Sequence, residues 1–234
     1  MIKCAMFDLD GTLINTLPTI THYVNATLTK NGFEGISLED CRLFVGNGAR
    51  NLIERALSFV GADVPRVFDK VFRDYNAAYD SAPNYLATPY EGILELVDAL
   101  FECDVRLAVL SNKPDLPTRL TVREFFGDRF AYVRGGIPGE PLKPDPTVPL
   151  KMLSELCVSP EECAYIGDSE VDALTGINMR AGLRISCLWG FRTKEEILHG
   201  ISPDAYPELA SSPDEILRLI KSHRENRRPA ELMQ

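Results

Sequence analysis

Two carboxylates, Asp8 and Asp10, stand two residues apart where the apolar run Ala5-Met6-Phe7 gives way to Gly11-Thr12-Leu13. A short buried strand ending this way offers one carboxylate as a nucleophile and a second for proton transfer. The Gly and Thr turn the chain and present backbone N–H groups at the same spot. Further stretches bring what phosphoryl transfer needs. Ser111-Asn112-Lys113 carries a hydroxyl, Lys143-Pro144 a cation, and Gly167-Asp168-Ser169-Glu170-Val171-Asp172 more carboxylates around a turn. Each alone has a plain structural explanation. Asp-x-Asp-Gly is a common turn, Ser111 or Asn112 suits a helix N-cap, and Lys143 suits a solvated loop. Gly167-Asp168-Ser169 suits a strand-to-helix turn with its cap. Carboxylates, a hydroxyl and a lysine at the ends of strands in one sheet make a site composition, not a turn composition.

The elements that must position these residues follow from periodicity. Residues near 16–82 read as almost pure helix, with Leu52, Ile53, Ala56, Leu57 and Val60 in one apolar stripe. Phe68, Val71, Phe72, Tyr75 and Tyr79 form another, and Ser37 with Asp40 opens a short helix as a capping pair. From about residue 84 the texture alternates. Helices are predicted near 91–102, 115–125, 146–156, 170–180 and 213–222, and strands at 105–110, 130–133, 163–166 and 183–188. With the N-terminal strand at 3–7, this predicts an α/β fold: a Rossmann-like, parallel, five-stranded sheet with helices on both faces. The helical block is inserted after the first strand, with Pro18, Pro83 and Pro89 near the joints. The expected division is a core of 1–15 plus 84–224, a helical insert of 16–83, and a C-terminal tail of 225–234. The basic end (His223, Arg224, Arg227, Arg228) is expected to be a frayed terminus. In open α/β sheets ligands sit outside the carboxyl ends of the strands, where all four motifs fall.

Length and composition fit this division. The 234 residues are 45% hydrophobic and 25% charged, an ordinary globular balance. The net charge of −9 argues against nucleic acid or an anionic membrane as a partner of the whole surface. It leaves room for a small anionic metabolite held locally by lysines, backbone N–H groups and a metal. No apolar run is long enough to span a bilayer, and Asp8 ends the first apolar stretch too early for a signal peptide. The six cysteines are scattered without a Cys-x-x-Cys pair, as expected of a cytoplasmic protein with reduced thiols.

The four motifs together resemble the signature motifs of the haloacid dehalogenase superfamily, in its phosphatase branch. The match runs from residue 1 to about 190, and the helical insert resembles that family's small cap. The resemblance implies roles residue by residue. Asp8 would attack phosphorus and form an aspartyl-phosphate, and Asp10 would serve as acid and then base. Mg²⁺ would be held by Asp8, the Asp10 backbone carbonyl and Asp168, an oxygen donor set suited to it, with Asp172 behind them. Ser111 would hold a phosphoryl oxygen, and Lys143 would neutralise charge on Asp8 and the phosphoryl group. Asn112, Gly11 and Thr12 would add backbone N–H donors.

Within the insert, Val45-Gly46-Asn47-Gly48-Ala49-Arg50-Asn51-Leu52 resembles the substrate loop of phosphoglycolate phosphatases. Gly46, Asn47 and Gly48 would approach the substrate, and Arg50 would take a small carboxylate bidentately. Asn15 departs from the family pattern, in which many relatives carry an acidic residue at the hinge into the cap. The expected activity is a Mg²⁺-dependent phosphomonoester phosphatase, with 2-phosphoglycolate first among substrates, acting as a monomer or homodimer. The other possibilities differ in their residues. A dehalogenase needs neither Asp10 nor Asp168. A phosphonate hydrolase needs a cap lysine, and Lys30 and Lys70 do not fit the pattern. A sugar phosphomutase shares both aspartates but resembles the cap loop less, and a small-molecule pyrophosphatase is weakly distinguished. A non-catalytic phosphate-binding protein would be expected to lack Asp8, Asp10 or Lys143.

Overall fold

Alternate residues of the first strand, β1 (Cys4–Phe7), serve two different cores. Cys4 and Met6 pack into one apolar cluster, Ala5 and Phe7 into another, because successive side chains of a strand point to opposite faces. A strand buried on both faces belongs inside a parallel sheet covered by helices. The computed structural model describes residues 1–225 of the chain. After β1 come the two-residue strand β2 (Ile14–Asn15) and four helices: α1 (Leu17–Lys30), α2 (Leu38–Phe44), α3 (Gly48–Phe59) and α4 (Val64–Ser81). The strand β3 (Thr88–Pro89) returns antiparallel to β2, pairing Asn15 with Thr88. Helix and strand then alternate through α5 (Ile93–Glu102), β4 (Arg106–Pro114), α6 (Asp115–Phe126), β5 (Tyr132–Gly136), α7 (Thr147–Glu155), β6 (Cys163–Gly167), α8 (Glu170–Asn178) and β7 (Leu183–Cys187). The short helix α9 (Lys194–Leu198), the strand β8 (Glu208–Ala210) and α10 (Pro213–Glu225) complete the described chain.

The main sheet runs in the order β5-β4-β1-β6-β7-β8, so β1 and its aspartates lie near the middle. All its pairings are parallel. The α/β class is as expected, and the strand count is corrected from five to six. β8 adds an edge strand of only three residues, too short to show a period in the sequence. β4 also runs further than its apolar stretch, through Ser111-Asn112-Lys113 to Pro114, with a register irregularity against β5. One face of the sheet packs on α5, α10 and the end of α6, the other on α7 and the segment after α8.

Helices α1–α4 bury a separate apolar cluster that includes Leu52, Ile53, Ala56, Leu57, Phe68, Val71, Tyr75 and Tyr79. One aromatic from outside that block, Phe191, inserts into it. Ser37 and Asp40 form the expected reciprocal cap at the start of α2. The Asp40 N–H donates to Ser37 Oγ (3.1 Å), and the Ser37 N–H donates to Asp40 Oδ2 (3.2 Å). Much of the expected basic tail lies beyond Glu225 and outside the described residues.

Candidate active site

Asp8 ends β1 at the carboxyl edge of the sheet, where its N–H donates to the Ile166 carbonyl of β6 (2.9 Å). That bond sets the β1 carboxylate beside the loop that follows β6, which carries Asp168. Asp168 is held from two sides. Thr12 Oγ1 donates to its Oδ1 (3.0 Å), and the Phe191 N–H donates to its Oδ2 (2.7 Å). Two glycines make the room for it. A Cβ on Gly11 would lie 2.3 Å from Asp168 Oδ2, and one on Gly190 would lie 2.3 Å from the Asp168 Cβ. Gly11 also has φ +91°, a conformation open to glycine and strained for other residues.

Lys143 bridges the carboxylates. Its Nζ lies 2.7 Å from Asp8 Oδ1 and 2.7 Å from Asp172 Oδ1. The contact with Asp172 is a hydrogen bond. That with Asp8 is close in distance but poorly aligned, so the buried Asp8 Oδ1 has no hydrogen-bond partner. Asp172 is saturated: its Oδ1 also accepts from Tyr165 Oη (3.2 Å), and its Oδ2 accepts from Ser169 Oγ (2.6 Å) and the N–H groups of Ser169 and Asp168. Asp172 therefore anchors Lys143 and the turn, with its lone pairs already used.

The electrostatics follow from this burial. Desolvation pushes the Asp8 carboxyl up to about 7, against the pull of Lys143 and with a further push from Asp172. Asp168 is held well above the usual carboxylate range, by burial first and then by Asp172 and Asp8. Burial works against the Lys143 ammonium, but Asp172 and Asp8 outweigh it and keep it charged.

Asp8, Asp168 and Asp172 bring carboxylate oxygens within 4.8 Å of one another. Hard oxygen donors only, crowded in a buried corner, fit a hard divalent cation such as Mg²⁺. Asp8 and Asp168 retain free lone pairs for it, while Asp172 does not. The Asp10 side chain is turned elsewhere: its Oδ1 accepts from Thr16 Oγ1 (2.8 Å) and Lys113 Nζ (3.0 Å).

A pocket opens over Asp8 between the sheet edge and α1–α4. Of the residues singled out in the sequence, Asp8, Asp10, Ser111, Asn112, Lys143, Asp168, Gly46 and Gly48 line it. Others are not brought there. The Gly11 and Thr12 N–H groups are spent on the Ile14 and Leu9 carbonyls, so neither faces a ligand as a donor, and the two residues support Asp168 instead. Asn47 does not line the pocket; its carbonyl accepts from Asn51 Nδ2 (2.7 Å). Arg50 is exposed, with its guanidinium 4.4 Å from the centre of the Phe68 ring. Gly48, Ala49 and Leu52 face the pocket. Arg50 stands two residues from both Gly48 and Leu52, about 200° round the helix, and so points away.

The pocket also contains residues that the sequence analysis did not select. Lys113 is buried under α4, donating to Asp10 and to Tyr79 Oη (2.5 Å). Arg192, in the loop after β7, donates to the backbone carbonyls of Arg42 (2.5 Å) and Val45 (2.8 Å). Arg42 returns a bond to the Phe191 carbonyl (2.5 Å). Asn112 Nδ2 donates to the Gly46 carbonyl (3.0 Å) and the Lys143 carbonyl (3.1 Å), and its Oδ1 accepts from the Lys143 N–H (2.8 Å). Its side chain thus ties the sheet edge to both the lysine loop and the Gly46 loop. Lys113 belongs to the Ser111-Asn112-Lys113 stretch, whereas Arg192 has only the neighbouring Trp189-Gly190-Phe191 turn to mark it.

The haloacid dehalogenase-like hydrolase family model matches residues 5–184. The chain belongs to that family. Its sequence is phosphoglycolate phosphatase-like: it is 33% identical over 187 residues to the phosphoglycolate phosphatase of Rhodobacter capsulatus, covering 78% of this chain and 82% of that protein. To the phosphoglycolate phosphatase of Aquifex aeolicus it is 30% identical over 224 residues, covering 95% and 98%. A solved structure of a predicted phosphoglycolate phosphatase from Haemophilus somnus superposes with a TM-score of 0.85 over 93% of this chain and 97% of that one, at 23% identity, a likeness of fold.

Proposed function

We propose that this phosphoric monoester hydrolase is a Mg²⁺-dependent phosphatase that works through an aspartyl-phosphate on Asp8, with 2-phosphoglycolate or a similarly small phosphorylated metabolite as substrate. The observation that carries the proposal is the corner where Asp8, Lys143 and Asp168 meet beneath the pocket. The phosphoglycolate phosphatases to which the chain is similar support the substrate. Asp8 and Asp168 would hold the cation, with the Asp10 backbone carbonyl as the third protein ligand. Bound there, Mg²⁺ supplies positive charge that offsets repulsion between carboxylate and phosphate.

The chain's own residues do the rest. The Asp8 carboxylate attacks phosphorus, and the bond from phosphorus to the ester oxygen breaks as Asp10 gives that oxygen a proton. Asp10 then takes a proton from a water that attacks the aspartyl-phosphate. The bond between phosphorus and the Asp8 oxygen breaks, and inorganic phosphate leaves. Lys143 neutralises charge on Asp8 and the phosphoryl group, and Ser111 holds a phosphoryl oxygen. Residues 16–83 act as a cap over a core of 1–15 plus 84–224 and exclude bulk water when seated. We place this work in the cytoplasm, in a monomer or homodimer. Among the described residues the six cysteines form no disulfide, and no helix is long and apolar enough to cross a membrane.

Phosphate release from a panel of phosphomonoesters and pyrophosphate, with Mg²⁺ and with chelator, tests this, with Asp8→Asn as the blank. The expected result is metal-dependent turnover in which 2-phosphoglycolate leads by about a hundredfold in kcat/KM, nearly 3 kcal/mol. Metal-dependent turnover led by another ester would remove the substrate, and turnover in Asp8→Asn would remove the nucleophile.

A further inference from the structure

We infer that Lys113, and not Arg50, is the residue that selects a carboxylate on the substrate's leaving group. This rests on the phosphatase activity proposed above and names the specificity determinant of the same site.

The inference begins with the pocket's cations. Lys143, Arg192 and Lys113 line the pocket among the described residues. Lys143 is held between Asp8 and Asp172. Arg192 is committed to the Arg42 and Val45 carbonyls and lies 3.4 Å from Glu170 Oε2. Lys113 contacts two acceptors, Asp10 Oδ1 and Tyr79 Oη. An ammonium has three protons to donate, so one remains for a ligand.

Position decides which part of the substrate it meets. Asp8 and Lys143 mark where the transferring phosphoryl group sits. Asp10, as the acid for the departing oxygen, marks the leaving-group side. Lys113 Nζ is 3.0 Å from Asp10 and also touches Tyr79 of α4, so it stands where the leaving group lies between core and cap. A leaving group with a carboxylate on the carbon beside its oxygen would bring that carboxylate to Lys113. The ammonium would then screen it from Asp10. Burial strengthens the contact, because the Lys113 side chain is only 4% exposed and competes little with water. Arg50 lies outside this pocket. The ligand class is a short phosphorylated carboxylic acid in which ester oxygen and carboxylate share one carbon.

The test is a competition in one vessel between 2-phosphoglycolate and 2-hydroxyethyl phosphate, which replaces the carboxylate by a neutral alcohol. The ratio of their kcat/KM values is independent of how much enzyme is active and cancels any general effect of Lys113 on Asp10. Wild type is expected to favour 2-phosphoglycolate. Lys113→Met should reduce that preference about thirtyfold, as for a lost hydrogen bond to a charged group. Arg50→Met, an exposed change, should keep it. A preference retained in Lys113→Met, or lost in Arg50→Met, overturns the inference while the proposed substrate stands. No preference in wild type removes the proposed substrate itself, and the role of Lys113 with it.

Discussion

Replacing Asp8 should make the metal-free protein more stable. Asp8 is a buried carboxyl moved from 3.8 to about 7, chiefly by desolvation. A raised carboxyl means that between about pH 4 and pH 7 the folded chain binds a proton that the unfolded chain releases. Stability is therefore lost as pH rises through that window. Above it, the ionised Asp8 costs about 4 kcal/mol relative to the neutral acid, at about 1.4 kcal/mol per tenfold change in proton affinity. Asn has nearly the shape of the neutral acid and carries no charge. In Asp8→Asn, Lys143 keeps its hydrogen bond to Asp172, so no buried cation is orphaned.

The assay is thermal unfolding of wild type and Asp8→Asn in chelator at pH 8 and pH 5. At pH 8 the variant should be more stable by about 2–4 kcal/mol, the lower figure allowing for relaxation around the site. That corresponds to a midpoint roughly 5–15 °C higher for a chain of this size. At pH 5 the gap should shrink by more than half, because the wild-type carboxyl is then neutral in the folded state. Mg²⁺ at pH 8 should raise the wild-type midpoint and leave that of Asp8→Asn nearly unmoved. A variant less stable than wild type at pH 8, or a gap that does not change with pH, refutes the account of Asp8 as a strained charge.

Three other perturbations probe its surroundings. Lys143→Met leaves Asp8 and Asp172 buried without their shared cation and should destabilise by about 3–5 kcal/mol, read as a midpoint lower by roughly 10 °C. Gly11→Ala pushes a methyl group against Asp168, and Mg²⁺ titration of phosphate release should show the metal requirement rising about tenfold or more. Arg192→Ala frees the Arg42 and Val45 carbonyls, so amide exchange at residues 42–48 should quicken and KM should rise.

The site was legible where it depends on single residues at strand ends, and less so where it depends on the direction of a side chain. Asp8, Lys143 and Asp168 stand out because a buried strand edge has few other uses for such groups. The resemblance assigns Gly11 and Thr12 backbone N–H groups for the substrate, yet those are consumed by the turn itself, and what matters is a missing Cβ and a hydroxyl beneath Asp168. Such a role depends on contact across 156 residues of chain, which no local pattern encodes. The resemblance of its loop places Arg50 at the substrate, but helix phase sets its direction: a helix turns about 100° per residue, and two steps from Gly48 reverse it. The edge strand β8 and the paired segments β2 and β3 escaped because two or three residues cannot display a period.

The contacts that seat α1–α4 over the sheet have an asymmetry that bears on how specificity can vary. Arg192 and Asn112 belong to the sheet side, and what they grip on the cap side is backbone: the carbonyls of Arg42, Val45 and Gly46. Every residue type has a carbonyl, so side chains at Val45 and its neighbours in the loop can change while that grip is kept, provided the glycines remain; Arg42 is the exception, because its own side chain bonds the Phe191 carbonyl and pairs with Glu196 (3.0 Å). Gly48 cannot change freely, because its φ of +83° is strained for any other residue and a Cβ there would lie 3.2 Å from Leu142 Cδ1. Phe191 adds an apolar anchor, and its N–H on Asp168 links that anchor to the carboxylate corner. One short turn after β7 thus grips α1–α4 and orients Asp168 at once. Displacing α1–α4 there should therefore loosen Asp168 as well, which under the proposed function ties closure over the substrate to the readiness of the site to hold a cation.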